Sequence, residues 1–332
     1  MGARNKIARM VLVLLVLLVA GVLLSSGYQA FATGWDLEKY PAPGQLIDVG
    51  GYRLHIYCVG EGSPTIVMEA GMSGWSTDWL LVQPEVAEVT RACAYDRAGY
   101  GWSDEGPRPQ DSQQVATALN RLLAEAGIEG EIILVGHSLG GVFAQYYARE
   151  YPEQVAGLVL VDSVHPRQSQ IMPEDVRDKY EGNLERLTAF TRVFAPTGLL
   201  RLAGQTVSPI ADKLPDEYQD MVRALGYQSK AYRALDAEMA AFRQSQAQVQ
   251  EAGPLPEHIL LATIRATEVE NYPPGFSADT VKPIWDEMQA DLSDSATLPP
   301  VVAAHSGHYV HVDEPDLVTQ TILDVVNRVR EG

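Results

Sequence analysis

The sequence predicts an α/β protein: a mostly parallel, eight-stranded sheet with helices on both faces and an inserted helical segment. Three observations carry this. Short apolar segments bounded by Gly, Pro or Asp alternate with segments of helical spacing, the pattern of a parallel sheet covered on both sides. A nearly pure apolar run at residues 132–135 opens into a glycine-rich turn and then a helix. Between residues 165 and 256 strand signals fade and amphipathic helical spacing takes over.

The N-terminus stands apart from this pattern. Arg4, Lys6 and Arg9 precede an apolar run at residues 10–24, and no further charge occurs before Asp36. A basic flank followed by an apolar stretch fits either a cleavable signal, with Ala30-Phe31-Ala32 as the small-x-small site, or an uncleaved membrane anchor. The uncharged stretch exceeds the ~20 residues that cross a bilayer, and Tyr28, Phe31 and Trp35 fall where an interfacial aromatic belt belongs. The anchor is the favoured reading. The positive flank then keeps the N-terminus cytoplasmic and places the rest outside; if the segment is cleaved, the protein is secreted.

Past a Pro-Ala-Pro-Gly turn at 41–44, strands are expected at 46–49, 52–59, 65–69 and 92–95. Val115, Leu119, Leu122 and Leu123 recur at helical spacing in residues 111–126, with Gly127 as a stop. The strand at 132–135 is followed by a helix at 142–151 that closes at Pro152, and a buried strand at 158–161 ends in Asp162-Ser163. After the helical insertion come a strand at 258–264, a helix through 285–292, a strand at 301–304 and a last helix at 315–329. The expected organisation is a membrane or signal segment (1–35), a first core part (36–164), a helical lid (165–255) and a second core part (256–332).

The 332 residues are 46% hydrophobic and 20% charged, a composition able to bury a sizeable core. A net charge of −18 with no basic stripe argues against nucleic acid as a partner. Two cysteines, Cys58 and Cys93, are too few for a disulfide framework and wrongly spaced for a metal site.

The chemistry concentrates at Gly136-His137-Ser138-Leu139-Gly140. A serine hydroxyl is a poor nucleophile until a base takes its proton and a third group orients that base. In a small-x-Ser-x-small turn the serine sits at a sharp strand-to-helix junction that tolerates only small residues two positions either side. The helix that follows turns its first amides toward the reacting group, so the Leu139 amide is one expected oxyanion donor.

Residues 136–141 resemble the nucleophile elbow of the α/β-hydrolase superfamily. Residues 95–103, Tyr-Asp-Arg-Ala-Gly-Tyr-Gly-Trp-Ser, resemble its loop after the fourth strand, and Ser306-Gly307-His308 before Asp313-Glu314-Pro315 resembles its histidine loop. The likeness runs through residues 45–330 apart from the lid. It implies Ser138 as nucleophile and His308 as base, with His305 and His311 as near rivals. The acid is open: the usual position after the penultimate strand offers no carboxylate before Glu268 and Glu270, whereas some members carry it where Asp162 stands. Asp162 is the first choice. The loop after the third strand, Glu69-Ala70-Gly71-Met72, lacks the common histidine but keeps the glycine, which makes the Met72 amide the second oxyanion donor.

The resemblance also makes the strands of Cys58 and Cys93 neighbours, so the two are either bridged or free thiols. Asp96 and Arg97 are expected to brace their loop, and His137 to pack beside the nucleophile. Trp75, Trp79, Tyr100 and Trp102 are either core or pocket wall. The expected function is hydrolysis of a carboxylic ester through an acyl-enzyme, with a small-molecule acyl substrate, the membrane as partner and no metal or organic cofactor. Amidase, iminopeptidase or acyltransferase chemistry on the same residues, or a non-catalytic membrane-tethered binding module, are the alternatives. Epoxide hydrolases and haloalkane dehalogenases, similar in fold, use an aspartate where Ser138 stands.

Overall fold

The computed structural model describes residues 2–268 and 278–331. Eight strands form one sheet: β1 (Gln45–Asp48), β2 (Arg53–Val59), β3 (Thr65–Glu69), β4 (Ala92–Tyr95), β5 (Ile132–His137), β6 (Val155–Val161), β7 (Leu260–Ala266) and β8 (Val301–Ala303). Their spatial order is β1-β2-β4-β3-β5-β6-β7-β8. β1 and β2 pair antiparallel, β2 pairs antiparallel with β4, and every other pairing is parallel.

The central strands are apolar on both sides because both sides are covered. Val67, Leu134, Leu158 and Leu160 point into a core closed by helices Ser112–Glu125, Leu139–Glu150 and Phe242–Glu251. Their neighbours Ile66, Met68, Ile133, Val135 and Val159 point the opposite way, under helices Gln83–Ala87 and Pro315–Glu331. Period-two alternation thus feeds two cores rather than a core and a solvent face.

The structure extends several expected elements. β6 starts at Val155, because Val155 pairs with Ile132 across the sheet, and β5 runs on through Gly136 and His137, which pair with Leu160 and Val161. The strand therefore carries its pairing right up to Ser138. Helix Ser112–Glu125 is capped by the Asp111 side chain, which accepts the Gln114 amide at 2.9 Å. Cys58 and Cys93 stand opposite each other in the β2–β4 register and are joined as a disulfide.

Between β6 and β7 the chain forms only helices and turns, including Glu174–Phe194, Leu199–Leu202, Asp216–Gly226 and Ser229–Ala240. The N-terminus forms one 38-residue helix, Gly2–Lys39. It continues past the expected limit at residue 35, and its last turn carries Asp36, Glu38 and Lys39. Its stretch from Arg4 onward is long and apolar enough to cross a membrane. Residues 4–24 are exposed, whereas Gln29 and Ala32 are buried against the helical insertion.

Candidate active site

Ser138 sits directly after β5 with φ 51°, the left-handed region that a residue with a side chain enters only under constraint. The constraint is steric. A Cβ on Gly136 would lie 2.6 Å from the Gly141 Cα, and one on Gly140 would lie 2.3 Å from the Ala70 carbonyl oxygen. Only glycine permits the turn at both places, which is the physical content of the motif. The turn lifts Ser138 Oγ off the C-terminal edge of the sheet, the edge at which ligands bind in parallel α/β folds.

Two other strand ends deliver the partners. His308, in the loop after β8, places Nε2 2.9 Å from Ser138 Oγ. Its Nδ1 lies 2.6 Å from Asp162 Oδ2, immediately after β6. Asp162 is buried and also held at a positive φ, 40°. Its other oxygen accepts the Ala266 amide at 3.0 Å and the Trp285 indole N–H at 3.2 Å, so the carboxylate is fixed from three directions. The carboxylate in turn fixes the imidazole: Nδ1 donates to Asp162, which leaves Nε2 as the acceptor facing the serine hydroxyl.

The remaining sequence candidates fall outside this line. His305 is exposed, and its backbone amide donates to Glu314. His311 is fully buried against the Trp79 and His137 rings. Glu268 is exposed, and Glu270 lies outside the described residues. Trp75, Trp79, Tyr100 and Trp102 are all buried, with Trp75 stacked on Tyr100 and the Trp102 indole donating to the Tyr40 carbonyl, so they are core.

The loop after β3 lies against the serine. A Cβ on Gly71 would lie 2.7 Å from His137 Nδ1 and 3.1 Å from Ser138 Cβ. Neither the Met72 nor the Leu139 amide donates to a protein acceptor among the described residues. The loop is clamped from beneath by Arg97, whose guanidinium donates to the Ala70 carbonyl at 2.6 Å and the Gly71 carbonyl at 2.7 Å. The same group pairs with Glu69 at 2.7 Å and with Glu238, on insertion helix Ser229–Ala240, at 2.6 Å. Burial nonetheless pushes the Glu69 carboxyl up to about 6, against the pull of Arg97 and the Tyr95 hydroxyl.

Arg97 was legible as a brace for its own loop; that it ties the Gly71 turn to the insertion was not. Arg97→Met strips two buried carboxylates of their partner and is expected to cost about 3–5 kcal/mol of stability. Urea unfolding of the full chain in detergent measures this, and a loss under 1 kcal/mol contradicts the clamp.

His137 and His311 are neutral buttresses. His137 Nε2 donates to the His308 carbonyl at 2.8 Å, holding the histidine loop from behind. Burial, together with His311 and His308 nearby, drives its basicity well down. Burial, aided by His308 and Lys213, takes His311 down to about 3, and neither of its ring nitrogens has a hydrogen-bond partner among the described residues.

An unfolded histidine titrates near 6.5, so below that pH the unfolded chain binds the extra proton and the folded chain does not. His311's share of stability is therefore full above about pH 6.5 and is lost as pH falls toward 3. Relative to His311→Phe, the wild type should lose about 2 kcal/mol more between pH 8 and pH 5, at 1.36 kcal/mol per pH unit. Parallel pH profiles of the two proteins in urea unfolding would contradict this.

A sequence model described as the alpha/beta hydrolase fold matches residues 64–251. The chain belongs to the α/β hydrolase fold family. Among curated relatives, an uncharacterized protein of Schizosaccharomyces pombe is 32% identical over 152 residues, 37% of this chain and 28% of its own length. An uncharacterized vacuolar membrane protein of Saccharomyces cerevisiae is 33% identical over 132 residues, 34% of this chain and 20% of its own length. The chain spans about half or less of the length of the curated relatives it matches. A thermophilic esterase from Thermogutta terrifontis superposes with a TM-score of 0.62 at 21% identity, covering 86% of this chain and 97% of that one. That likeness is one of fold.

Proposed function

We propose that this α/β hydrolase family member is a serine hydrolase that cleaves a carboxylic ester through an acyl-enzyme. The observation that carries the reading is the single line of contacts from Asp162 through His308 to Ser138, at 2.6 and 2.9 Å. In this reading Ser138 Oγ attacks the ester carbonyl as His308 Nε2 takes its proton, and the amides of Met72 and Leu139 hold the oxyanion. The alcohol leaves with that proton, forming the acyl-enzyme. Water, deprotonated by His308, then releases the acid and restores the serine hydroxyl. Asp162 orients the imidazole and offsets its transient positive charge. The fold likeness to an esterase agrees with this chemistry.

The N-terminal helix is, in the same reading, an uncleaved anchor that holds the domain on the outer side of the membrane. Supporting this, helix residues ahead of the Ala30-Phe31-Ala32 site have partners in the folded domain: Gln29 donates to the Tyr227 carbonyl at 2.6 Å, and Ser25 Oγ donates to the Thr197 carbonyl. Cleavage after Ala32 would remove both contacts. The Cys58–Cys93 disulfide suits an oxidising compartment. Residues 165–255 act as a lid over the site.

A fluorophosphonate probe tests the chemistry. Covalent labelling that maps to Ser138, with turnover of p-nitrophenyl butyrate, is the expected result. An unlabelled, folded protein points instead to a membrane-tethered binding module.

A further inference from the structure

The insertion is bound to the N-terminal helix at a particular level. Ser25 Oγ donates to the Thr197 carbonyl, Gln29 reaches both Tyr227 and Arg201, and Arg201 continues to Asp36. The fit is close: a Cβ on Gly198 would lie 2.7 Å from the Ser25 carbonyl oxygen. A bilayer core of about 30 Å takes about 20 helical residues, so a span that starts at Met10 ends at Gln29. The Gln29 contacts therefore stand at the outer boundary of the hydrocarbon, and the Ser25 contact about one helical turn inside it. They pin the insertion to that depth.

What the insertion exposes beside this boundary is apolar. Leu187, Phe190 and Val193 form a stripe at three-residue spacing on helix Glu174–Phe194, and Leu199 and Leu202 follow on the next short helix. These five side chains are 45–62% exposed. They flank the Ala195–Thr197 turn that docks on the N-terminal helix. The opposite face of helix Glu174–Phe194 is turned inward: Glu181 and Thr188 are buried, Leu184 packs on the main hydrophobic core, and Tyr180 lies close enough to Tyr309, next to His308, to act on its hydroxyl. One helix thus looks toward the site on its inner face and presents hydrocarbon on its outer face, at membrane depth. An apolar face on a surface helix next to a span is stable when it lies in the interface.

We propose that the edge formed by Leu187, Phe190, Val193, Leu199 and Leu202 is seated in the outer bilayer interface. We further propose that the ester cleaved at Ser138 is a membrane-carried one, with a long acyl chain delivered from the bilayer beneath the insertion. The substrate half of this rests on the serine-hydrolase reading above; the membrane seating does not.

The experiment uses the full chain in phosphatidylcholine vesicles and reads the two halves separately. Both native cysteines are bridged, so a Val193→Cys variant takes a single NBD label; a Glu257→Cys variant, just ahead of β7 at the opposite edge of the sheet, is the control. Nitroxide-labelled phosphatidylcholine is expected to quench the label at 193 at least three-fold more than the label at 257. Equal quenching overturns the seating.

For the substrate, Phe190→Asp combined with Leu202→Asp is expected to cut turnover of vesicle-borne p-nitrophenyl palmitate at least ten-fold while holding soluble p-nitrophenyl butyrate within two-fold. An equal effect on both esters overturns delivery from the bilayer. If the wild type cleaves neither ester, the serine-hydrolase reading falls and takes the substrate half with it, and the quenching result still decides the seating.

Discussion

Ser138→Ala is expected to abolish fluorophosphonate labelling and to lower p-nitrophenyl butyrate turnover by about 10⁶-fold, the scale seen when a serine nucleophile is removed from a preorganised site. The fold should survive. Ser138 Oγ makes one side-chain contact in the site, to His308, and the positive φ at this residue is imposed by its glycine neighbours and by the β5–β6 pairing on either side. Alanine tolerates that backbone no worse than serine does. The thermal midpoint of the variant should therefore match or exceed that of the wild type, which separates a missing nucleophile from a misfolded protein. Retention of more than about 1% of wild-type turnover would mean that another group attacks, and the proposed function would fail.

Asp162→Asn is expected to lower kcat by about 10⁴-fold with little change in KM. The argument is one of tautomers. A carboxylate at 2.6 Å only accepts, so it keeps the proton on His308 Nδ1 and leaves Nε2 free to take the serine proton. A carboxamide can instead donate to Nδ1, which moves the ring proton to Nε2 and leaves nothing there to receive the one on Ser138. The contacts from the Ala266 amide and the Trp285 indole can persist to the amide oxygen, so the shape of the site is kept. Glu268→Gln, at an exposed position, should stay within two-fold of wild type. The reverse pattern, near-normal Asp162→Asn and inactive Glu268→Gln, would overturn the assignment.

Most features readable from sequence have a cause within a few residues. The Gly136 and Gly140 flanks of Ser138, the apolar strand before it and the helix after it are adjacent in the chain, and the clashes that demand glycine arise within that same turn or from the strand beside it. The apolar run at 10–24 announces itself in the same way. Where expected boundaries moved, as at β6, pairing with another strand extended the element beyond its own apolar run.

The carboxylate facing the histidine was of another kind. Asp162, Glu268 and Glu270 all carry the right group after a strand, and nothing local ranks them. The contact that distinguishes Asp162 joins residues 146 apart in the chain. Trp285 gave no signal either, because an indole in an amphipathic helix reads as core until its N–H is found pointing at Asp162.

Taken alone, the sequence determined the strand-and-helix alternation, the strained turn at Ser138 and an apolar N-terminal segment. These follow from residue type and local sterics, except that the demand for glycine at 140 is imposed by the Ala70 carbonyl at the neighbouring strand end. Only the tertiary structure decided which carboxylate meets His308, that Arg97 joins the Gly71 turn to Glu238 across 141 residues, and that Ser25 meets Thr197 across 172. Such contacts depend on sheet order and on how far each strand end projects, and both are set by the burial of two cores on opposite faces of one sheet.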